Sequence, residues 1–220
     1  MILIQADYLC GLLIQTFSLK TIGSICVFCG SSAGSQELYS RKAHDLGLLL
    51  AEKKIALVYG GSNVGIMRVI ADTMMQAGGR VIGVMPHTLI EREVAHKGIS
   101  EFHVVESMAE RKTLMGELSD AFIAMPGGIG TLDELFEAMS WNQLEIMDKP
   151  VALFNIAHYY DHLLAFLEHS VEQRFVKSEH LENLIVAGDE YLLLHKILNY
   201  EPLKVEGGKW ISELRGNTYL

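Results

Sequence analysis

Three short segments of this chain combine glycine with serine or threonine in a way that suits phosphate binding. They are Cys29-Gly30-Ser31-Ser32, Tyr59-Gly60-Gly61-Ser62 and Pro126-Gly127-Gly128-Ile129-Gly130-Thr131. Each follows a short apolar run and precedes a stretch of helical periodicity, where the free N–H groups and the positive dipole end of a helix attract an anion. Glycine also lets the backbone approach that anion closely. The three segments therefore predict a site for a phosphate-bearing small molecule.

The glycine patterns also limit which phosphate compound can bind. No Gly-Lys-Ser/Thr follows any of the three segments, so none is a Walker A loop. None completes the GxGxxG pattern with an acidic residue about twenty positions further on, as dinucleotide-binding proteins require. A mononucleotide or a sugar phosphate fits these loops better than NAD or ATP hydrolysis.

Glu134 follows the third segment closely and allows two interpretations. Thr131-Leu132-Asp133-Glu134 matches the capping box, in which Thr131 would begin a helix and Glu134 would satisfy its backbone. Spacing alone favours this structural role. Alternatively, a carboxylate beside a phosphate site could stabilise a sugar oxocarbenium ion or activate water.

Two adjacent cations, Arg111 and Lys112, follow Met108 at the start of another predicted helix. The dipole of a helix does not favour positive charge at that end. They could lie on a solvated helix face, or they could clamp a phosphate or a base.

The elements that would position these residues are those of a three-layer, Rossmann-like α/β fold, an open parallel sheet with helices on both faces. Apolar runs alternate with helical periodicity, which is typical of that architecture. The runs predict strands near 23–29, 55–59, 80–85, 101–105, 121–125, 150–154 and 183–187. The periodicity predicts helices near 36–53, 64–78, 107–118, 131–147, 158–173 and 189–199. We expect one domain over residues 21–200, an N-terminal extension over 1–20 and a poorly specified tail over 201–220.

Composition and charge exclude several functions. The 220 residues carry a net charge of −9, so nucleic acid and anionic membranes are not expected partners. The three cysteines fit a reducing cytoplasm better than a disulfide framework. Cys26 and Cys29 should point to opposite faces of a strand, and His158 and His162 are interpreted as surface residues, so no metal site is predicted.

Taken together, the motifs resemble those of the LONELY GUY (LOG) family of cytokinin-activating phosphoribohydrolases, long labelled "possible lysine decarboxylases". The family pattern PGGxGTxxE is matched by Pro126, Gly127, Gly128, Gly130, Thr131 and Glu134. The CVFCGSS opening, the YGG loop, the Met108, Arg111 and Lys112 element and the segment 119–123 are also similar. The resemblance extends from about residue 25 to about residue 190.

The resemblance implies hydrolysis of the N-glycosidic bond of an adenosine-type 5′-monophosphate, without a metal or an organic cofactor. It assigns Arg111 and Glu134 as the catalytic pair, and it implies a homodimer. The chain departs from the family at Ile129, where tyrosine is frequent, and at Asp133, Ala109 and Arg68. The departures at Ile129 and Ala109 bear on the preferred base, and Arg68 could narrow the pocket or add a phosphate contact. None of the four touches the Arg111 and Glu134 pair itself.

Two other functions are compatible with parts of this pattern. Amino-acid decarboxylation normally requires pyridoxal phosphate bound to a lysine, and no lysine stands out at the three loops. A non-catalytic carrier of a nucleotide or of the molybdenum cofactor would have a similar fold and similar phosphate loops. The pairing of Glu134 with Arg111 favours an enzyme over a carrier.

Overall fold

The computed structural model describes residues 21–90 and 95–203. The predicted extension over 1–20 and most of the predicted tail, residues 204–220, lie outside this part of the chain. The predicted Rossmann-like α/β class is confirmed, since seven parallel strands form one sheet in the order β4-β3-β2-β1-β5-β6-β7. The strands are β1 (Ser24–Phe28), β2 (Ala56–Tyr59), β3 (Val81–Pro86), β4 (Glu101–Val105), β5 (Ala121–Ala124), β6 (Val151–Phe154) and β7 (Leu184–Ala187).

Continuous burial explains why four of the strands are uninterrupted apolar runs, whereas the edge strand β4 contains Glu101 and His103 and is only partly buried. All residues of β2, β3, β5 and β6 are buried, as expected for parallel strands that helices cover on both faces. Cys26 contacts the apolar core on one face of the sheet and Cys29 the core on the other. The prediction that these two cysteines point in opposite directions is confirmed.

Helices form a layer on each side of the sheet. Residues of α1, α2 and α8 pack in one core, and residues of α4, α5, α6 and α7 pack in the other. The helices are α1 (Glu37–Glu52), α2 (Gly65–Gln76), α3 (His87–Ile90), α4 (Met108–Glu117), α5 (Ile129–Gln143), α6 (Asp161–Glu172), α7 (Ser178–Glu182) and α8 (Glu190–Leu198). Of these, only the short α3 and α7 were not predicted. None of the helices in residues 21–90 and 95–203 has the length and apolarity to cross a bilayer.

Helix α5 begins and ends earlier than its periodicity predicts. It begins at Ile129, with Gly128 as its N-cap, and not at Thr131. Its end is set by Glu145, which adopts a positive φ of 57°. The N–H of Ile146 then donates to the carbonyl of Trp141 at 2.9 Å, which terminates the helix as a left-handed C-terminal turn does.

The strand order places a crevice above the centre of the sheet. The chain runs outward from β1 through β2 to β4 and then returns to pair β5 with the other side of β1. In open α/β sheets, ligands bind at such a switch point, beyond the carboxyl ends of the two central strands. Here those ends lead directly into the predicted loops at Gly30 and Gly127.

Candidate functional site

Arg111 and Glu134 form a largely buried ion pair. Arg111 lies in α4 and Glu134 in the second turn of α5. Nη1 of Arg111 is 3.4 Å from Oε1 of Glu134, and each side chain is only 10% exposed. Arg111 Nε donates to the carbonyl of Val84, in β3, at 3.0 Å. The guanidinium is thus held by one bond to the sheet and directs another donor toward the carboxylate.

Gly60, in the loop after β2, makes room for this guanidinium. A Cβ at Gly60 would overlap Nη2 of Arg111. The predicted loop Gly60-Gly61-Ser62 is buried throughout. Gly60 contacts Arg111, and it therefore has a steric reason to be glycine that does not involve phosphate. Direct substrate contact by Gly60, Gly61 and Ser62 stays a prediction.

The capping-box interpretation of Glu134 is wrong. Because Gly128 is the N-cap of α5, Glu134 lies beyond the helix N-terminus whose free N–H groups a cap would satisfy. Thr131 is buried and packs against Gly127, where an added Cβ would overlap its hydroxyl. Both residues of the supposed box therefore have other roles. Glu134 faces Arg111, and Thr131 closes the glycine-rich turn.

Burial raises the pKa of Glu134 to about 7, from an ordinary value of 4.5. Arg111 and Lys112 lower the pKa, whereas Asp133 and Glu137 raise it. Loss of hydration is the largest of these effects, so it outweighs the attraction of the two cations. A carboxyl with a pKa near neutrality can exchange protons at physiological pH, as a general acid or base must.

Lys112 links α4 to α5 through two carboxylates. Its Nζ lies 3.1 Å from Asp133 and 3.2 Å from Glu137. The predicted binding residue Met108 lies one helical turn before Arg111 and places its sulfur 3.9 Å from Nη1. Met108 thus contacts Arg111, and Lys112 pairs with two carboxylates close to Glu134 on α5. Contact of either residue with a substrate stays a prediction.

The first and third glycine-rich loops meet in a small cavity of about 190 Å³. Its polar lining includes Ser31 and Ser32, and no charged side chain lines it; the full lining is Gly30, Ser31, Ser32, Gly34, Tyr39, Ile66, Pro126, Gly127, Gly128 and Tyr159. Gly30 N–H donates to the carbonyl of Pro126 at 3.2 Å, which joins the two loops. Backbone N–H groups, hydroxyls and the N-terminus of α5 make this cavity suitable for an anion. Gly130 and Thr131 lie in the first turn of α5, outside the cavity lining.

Two tyrosines of this cavity escaped the sequence analysis. Tyr39 comes from α1, and Tyr159 comes from the loop after β6. Tyr159 donates its hydroxyl proton to the carbonyl of Gly127 at 2.6 Å. The one available signal was its place near the carboxyl end of a strand, because the segment carries none of the glycines that marked the other loops.

A larger groove, of about 480 Å³, lies elsewhere on the molecule. It runs between the C-terminal half of α5, α7 and residues 200–203. It contains none of the predicted site residues, and size alone does not make it the functional site.

The described residues give little support to metal or thiol chemistry. Residues 21–90 and 95–203 contain no group of three or more His, Cys, Asp or Glu side chains placed to hold a metal ion. Burial raises the pKa of the Cys26 and Cys29 thiols well above the ordinary value, which disfavours the thiolate that ligation or nucleophilic attack needs. His158 and His162 are exposed, as predicted.

The sheet and its strand order define a Rossmann-like α/β protein, and comparison with known proteins identifies the family. The family described as "Possible lysine decarboxylase" matches residues 67–197. The chain belongs to this family, and its resemblance to the LONELY GUY proteins is confirmed.

This chain matches most of the length of its relatives within the family. A cytokinin riboside 5′-monophosphate phosphoribohydrolase of Arabidopsis thaliana is 43% identical over 188 residues, which are 86% of this chain and 87% of the relative. A protein of Oryza sativa subsp. japonica named "Probable cytokinin riboside 5′-monophosphate phosphoribohydrolase" is 45% identical over 179 residues, 81% and 79% of the two chains.

Solved structures of carrier proteins share the fold. The molybdenum cofactor binding protein of Rippkaea orientalis superposes with a TM-score of 0.62 at 24% identity, covering 82% of this chain and 98% of that one. The molybdenum cofactor carrier protein of Chlamydomonas reinhardtii gives a TM-score of 0.61 at 21% identity, covering 80% and 96%. At this level of identity the similarity concerns the fold alone.

Proposed function

We propose that this protein hydrolyses the N-glycosidic bond of adenosine-type nucleoside 5′-monophosphates, such as AMP or N6-isopentenyl-AMP. The products are the free base and ribose 5-phosphate. The relatives at 43% and 45% identity carry names that state this activity for cytokinin ribotides. The observation that carries the proposal is the buried pair of Arg111 and Glu134, beside two glycine-rich loops that enclose a cavity suited to a phosphate.

The reaction requires a group that stabilises positive charge at the anomeric carbon. As the C1′–N9 bond breaks, its electron pair leaves with the base and the sugar becomes an oxocarbenium ion. The Glu134 carboxylate stabilises this cation and accepts a proton from the attacking water, whose oxygen bonds to C1′. In the balance of the reaction, one proton of the water ends on the released base.

Arg111 orients the Glu134 carboxylate and keeps part of it ionised. Its bond to the Val84 carbonyl fixes the guanidinium, and the guanidinium in turn orients the carboxylate at 3.4 Å. Positive charge at this distance also keeps part of the Glu134 population ionised despite its burial. Without the positive charge of Arg111, the Glu134 carboxyl, which is only 10% exposed, would be largely protonated at neutral pH.

The phosphate of the substrate occupies the cavity between the Gly30 and Gly127 loops. Ser31, Ser32 and the first turn of α5 supply neutral donors there. Backbone N–H groups and hydroxyls can bind a phosphate without a cation, and none of the described residues that line this cavity carries a charged side chain. The proposed reaction uses no metal ion and no organic cofactor.

The proposal includes a cytoplasmic homodimer. Apolar side chains exposed near the end of α5, including Leu144 and Ile146, are suited to a subunit contact. Light scattering would test this assembly, with a mass of about twice the 24.5 kDa of the chain expected.

Incubation with substrates separates an enzyme from a carrier. The purified protein is mixed with AMP, N6-isopentenyl-AMP or adenosine, and the products are separated by chromatography. We expect free base and ribose 5-phosphate from at least one monophosphate, and far slower release from adenosine. Tight binding of the monophosphates with no release of base would favour a carrier and refute the proposed hydrolysis.

A further inference from the structure

The loop between β6 and α6 contains two consecutive residues in a strained conformation. Ala157 has a φ of 51° and His158 a φ of 62°. Residues other than glycine are uncommon in this left-handed region, although asparagine, aspartate and histidine adopt it more often than the others, and strain of this kind tends to collect at functional sites. The strained pair directly precedes two tyrosines, Tyr159 and Tyr160.

The two tyrosine hydroxyls hold alternate carbonyls of the same phosphate loop. Tyr159 donates to the carbonyl of Gly127, and Tyr160 donates to that of Met125, each at 2.6 Å. The Asn155 side chain anchors their own loop by accepting from Tyr160 N–H at 2.7 Å. The β6–α6 loop thus fixes the backbone that leads from β5 into α5.

The two tyrosines nevertheless differ in their surroundings. Tyr160 is buried in the core, with 1% of its surface exposed, whereas Tyr159 is 43% exposed and lines the 190 Å³ cavity. The Tyr159 ring meets Tyr39 edge-on, with centroids 6.0 Å apart. Tyr160 therefore serves the fold, and Tyr159 presents its ring to the place where a ligand would bind.

Peptide geometry connects the Tyr159 hydrogen bond to anion binding. The Gly127 carbonyl and the Gly128 N–H belong to one planar trans peptide and point in opposite directions. A hydroxyl that holds the carbonyl therefore also determines the direction of the N–H. Two adjacent glycines offer little resistance to rotation of this peptide, so an external partner is needed to hold it. Gly128 is the N-cap of α5, where N–H groups are available to an anion.

We propose that Tyr159 is a positioning residue for the 5′-phosphate of the substrate. Its hydroxyl orients the Gly127–Gly128 peptide so that the N–H groups at the start of α5 converge on a phosphomonoester. Its ring lines the cavity in which that phosphomonoester binds. The inference rests on the proposed function for the identity of the substrate. It concerns binding of the phosphate and leaves the chemistry to Arg111 and Glu134.

The test compares Tyr159→Phe with the wild type and with Tyr191→Phe, which alters an exposed tyrosine of α8. Calorimetry measures the affinity of each protein for ribose 5-phosphate, AMP and adenosine, and base release from AMP is measured in parallel. Loss of one neutral hydrogen bond predicts a rise of about three- to tenfold in the Kd for the two phosphate ligands. The Kd for adenosine should not change, and Tyr191→Phe should behave like the wild type.

The outcomes separate this inference from the proposed function. Unchanged affinity of Tyr159→Phe for ribose 5-phosphate would overturn it, as would an equal loss of affinity for adenosine or a wild type with no preference for phosphate ligands. In the hydrolysis assay, KM for AMP should rise while kcat falls less than twofold. A wild type that releases no base but binds ribose 5-phosphate more tightly than Tyr159→Phe does would support the inference and refute the proposed hydrolysis.

Discussion

Replacement of Glu134 by glutamine should increase the stability of the protein relative to the wild type as pH rises. Burial raises the pKa of the folded-state carboxyl to about 7, compared with an ordinary value of 4.5. Between these two pH values the folded protein holds a proton that the unfolded chain has released. The contribution of Glu134 to the free energy of unfolding therefore falls as pH rises through this range. Glutamine has the same shape and does not titrate.

The magnitude follows from the two pKa values. One pKa unit corresponds to about 1.4 kcal/mol, so the wild type should lose about 2.5 kcal/mol relative to Glu134→Gln between pH 5 and pH 8. With Glu134 only 10% exposed, solvent screening should reduce this value little. In a domain of this size it corresponds to a difference of about 5 to 10 °C in the thermal midpoint.

Urea unfolding at pH 5, 6, 7 and 8 would measure this difference. Glu168→Gln is the matched control, because Glu168 is an exposed glutamate of α6, and its stability relative to the wild type should change little over the range. A difference between wild type and Glu134→Gln that stays constant with pH would refute the reasoning. A difference of the opposite slope would mean that Arg111 keeps the carboxylate ionised more strongly than burial opposes it.

The remaining predictions concern catalysis. If ionised Glu134 is the active form, kcat/KM for base release should rise with pH through a midpoint near 7. A flat profile between pH 5 and 9 would contradict this. Arg111→Met should move that midpoint to higher pH by about one to three pH units, because a neighbouring cation lowers a carboxyl pKa by this amount; an unchanged midpoint would exclude the electrostatic role of Arg111. Gly60→Ala places a Cβ against the guanidinium and should lower kcat/KM by about tenfold or more, as misplacement of catalytic groups does. Gly188→Ala, which meets only an ordinary contact, should not.

The strands were predictable because burial on both faces imposes a simple pattern. Apart from the edge strand β4, the strands are short and mostly apolar runs, and the helix layers leave little room for polar residues within them. Helix termini were harder to predict because they depend on single backbone conformations. The positive φ of Glu145, which ends α5, has no signal in the sequence comparable to a glycine. The same holds for Ala157 and His158, which delay the start of α6 to Asp161, three residues beyond the predicted position.

The candidate site shows a similar division. Glycine-rich turns marked the Gly30 and Gly127 loops, and local spacing could not decide the role of Glu134. Thr131 and Glu134 have the spacing of a capping box, but Gly128 is the N-cap of the helix, and a contact with α4 determines where the glutamate points. The steric role of Gly60 also depends on a residue some fifty positions away. Such contacts arise from the packing of distant elements, which periodicity does not encode.

The most direct test of the central claim is the rate of base release by Glu134→Gln. The wild type, Glu134→Gln and Glu168→Gln are compared at saturating monophosphate and pH 8, with binding of the substrate checked separately. Glu134→Gln should bind the monophosphate but release base about 10² to 10⁴ times more slowly, as expected for loss of a positioned acid or base, and Glu168→Gln should match the wild type. A loss of less than about tenfold in Glu134→Gln, with binding intact, would contradict the assignment of Glu134 as the catalytic carboxylate.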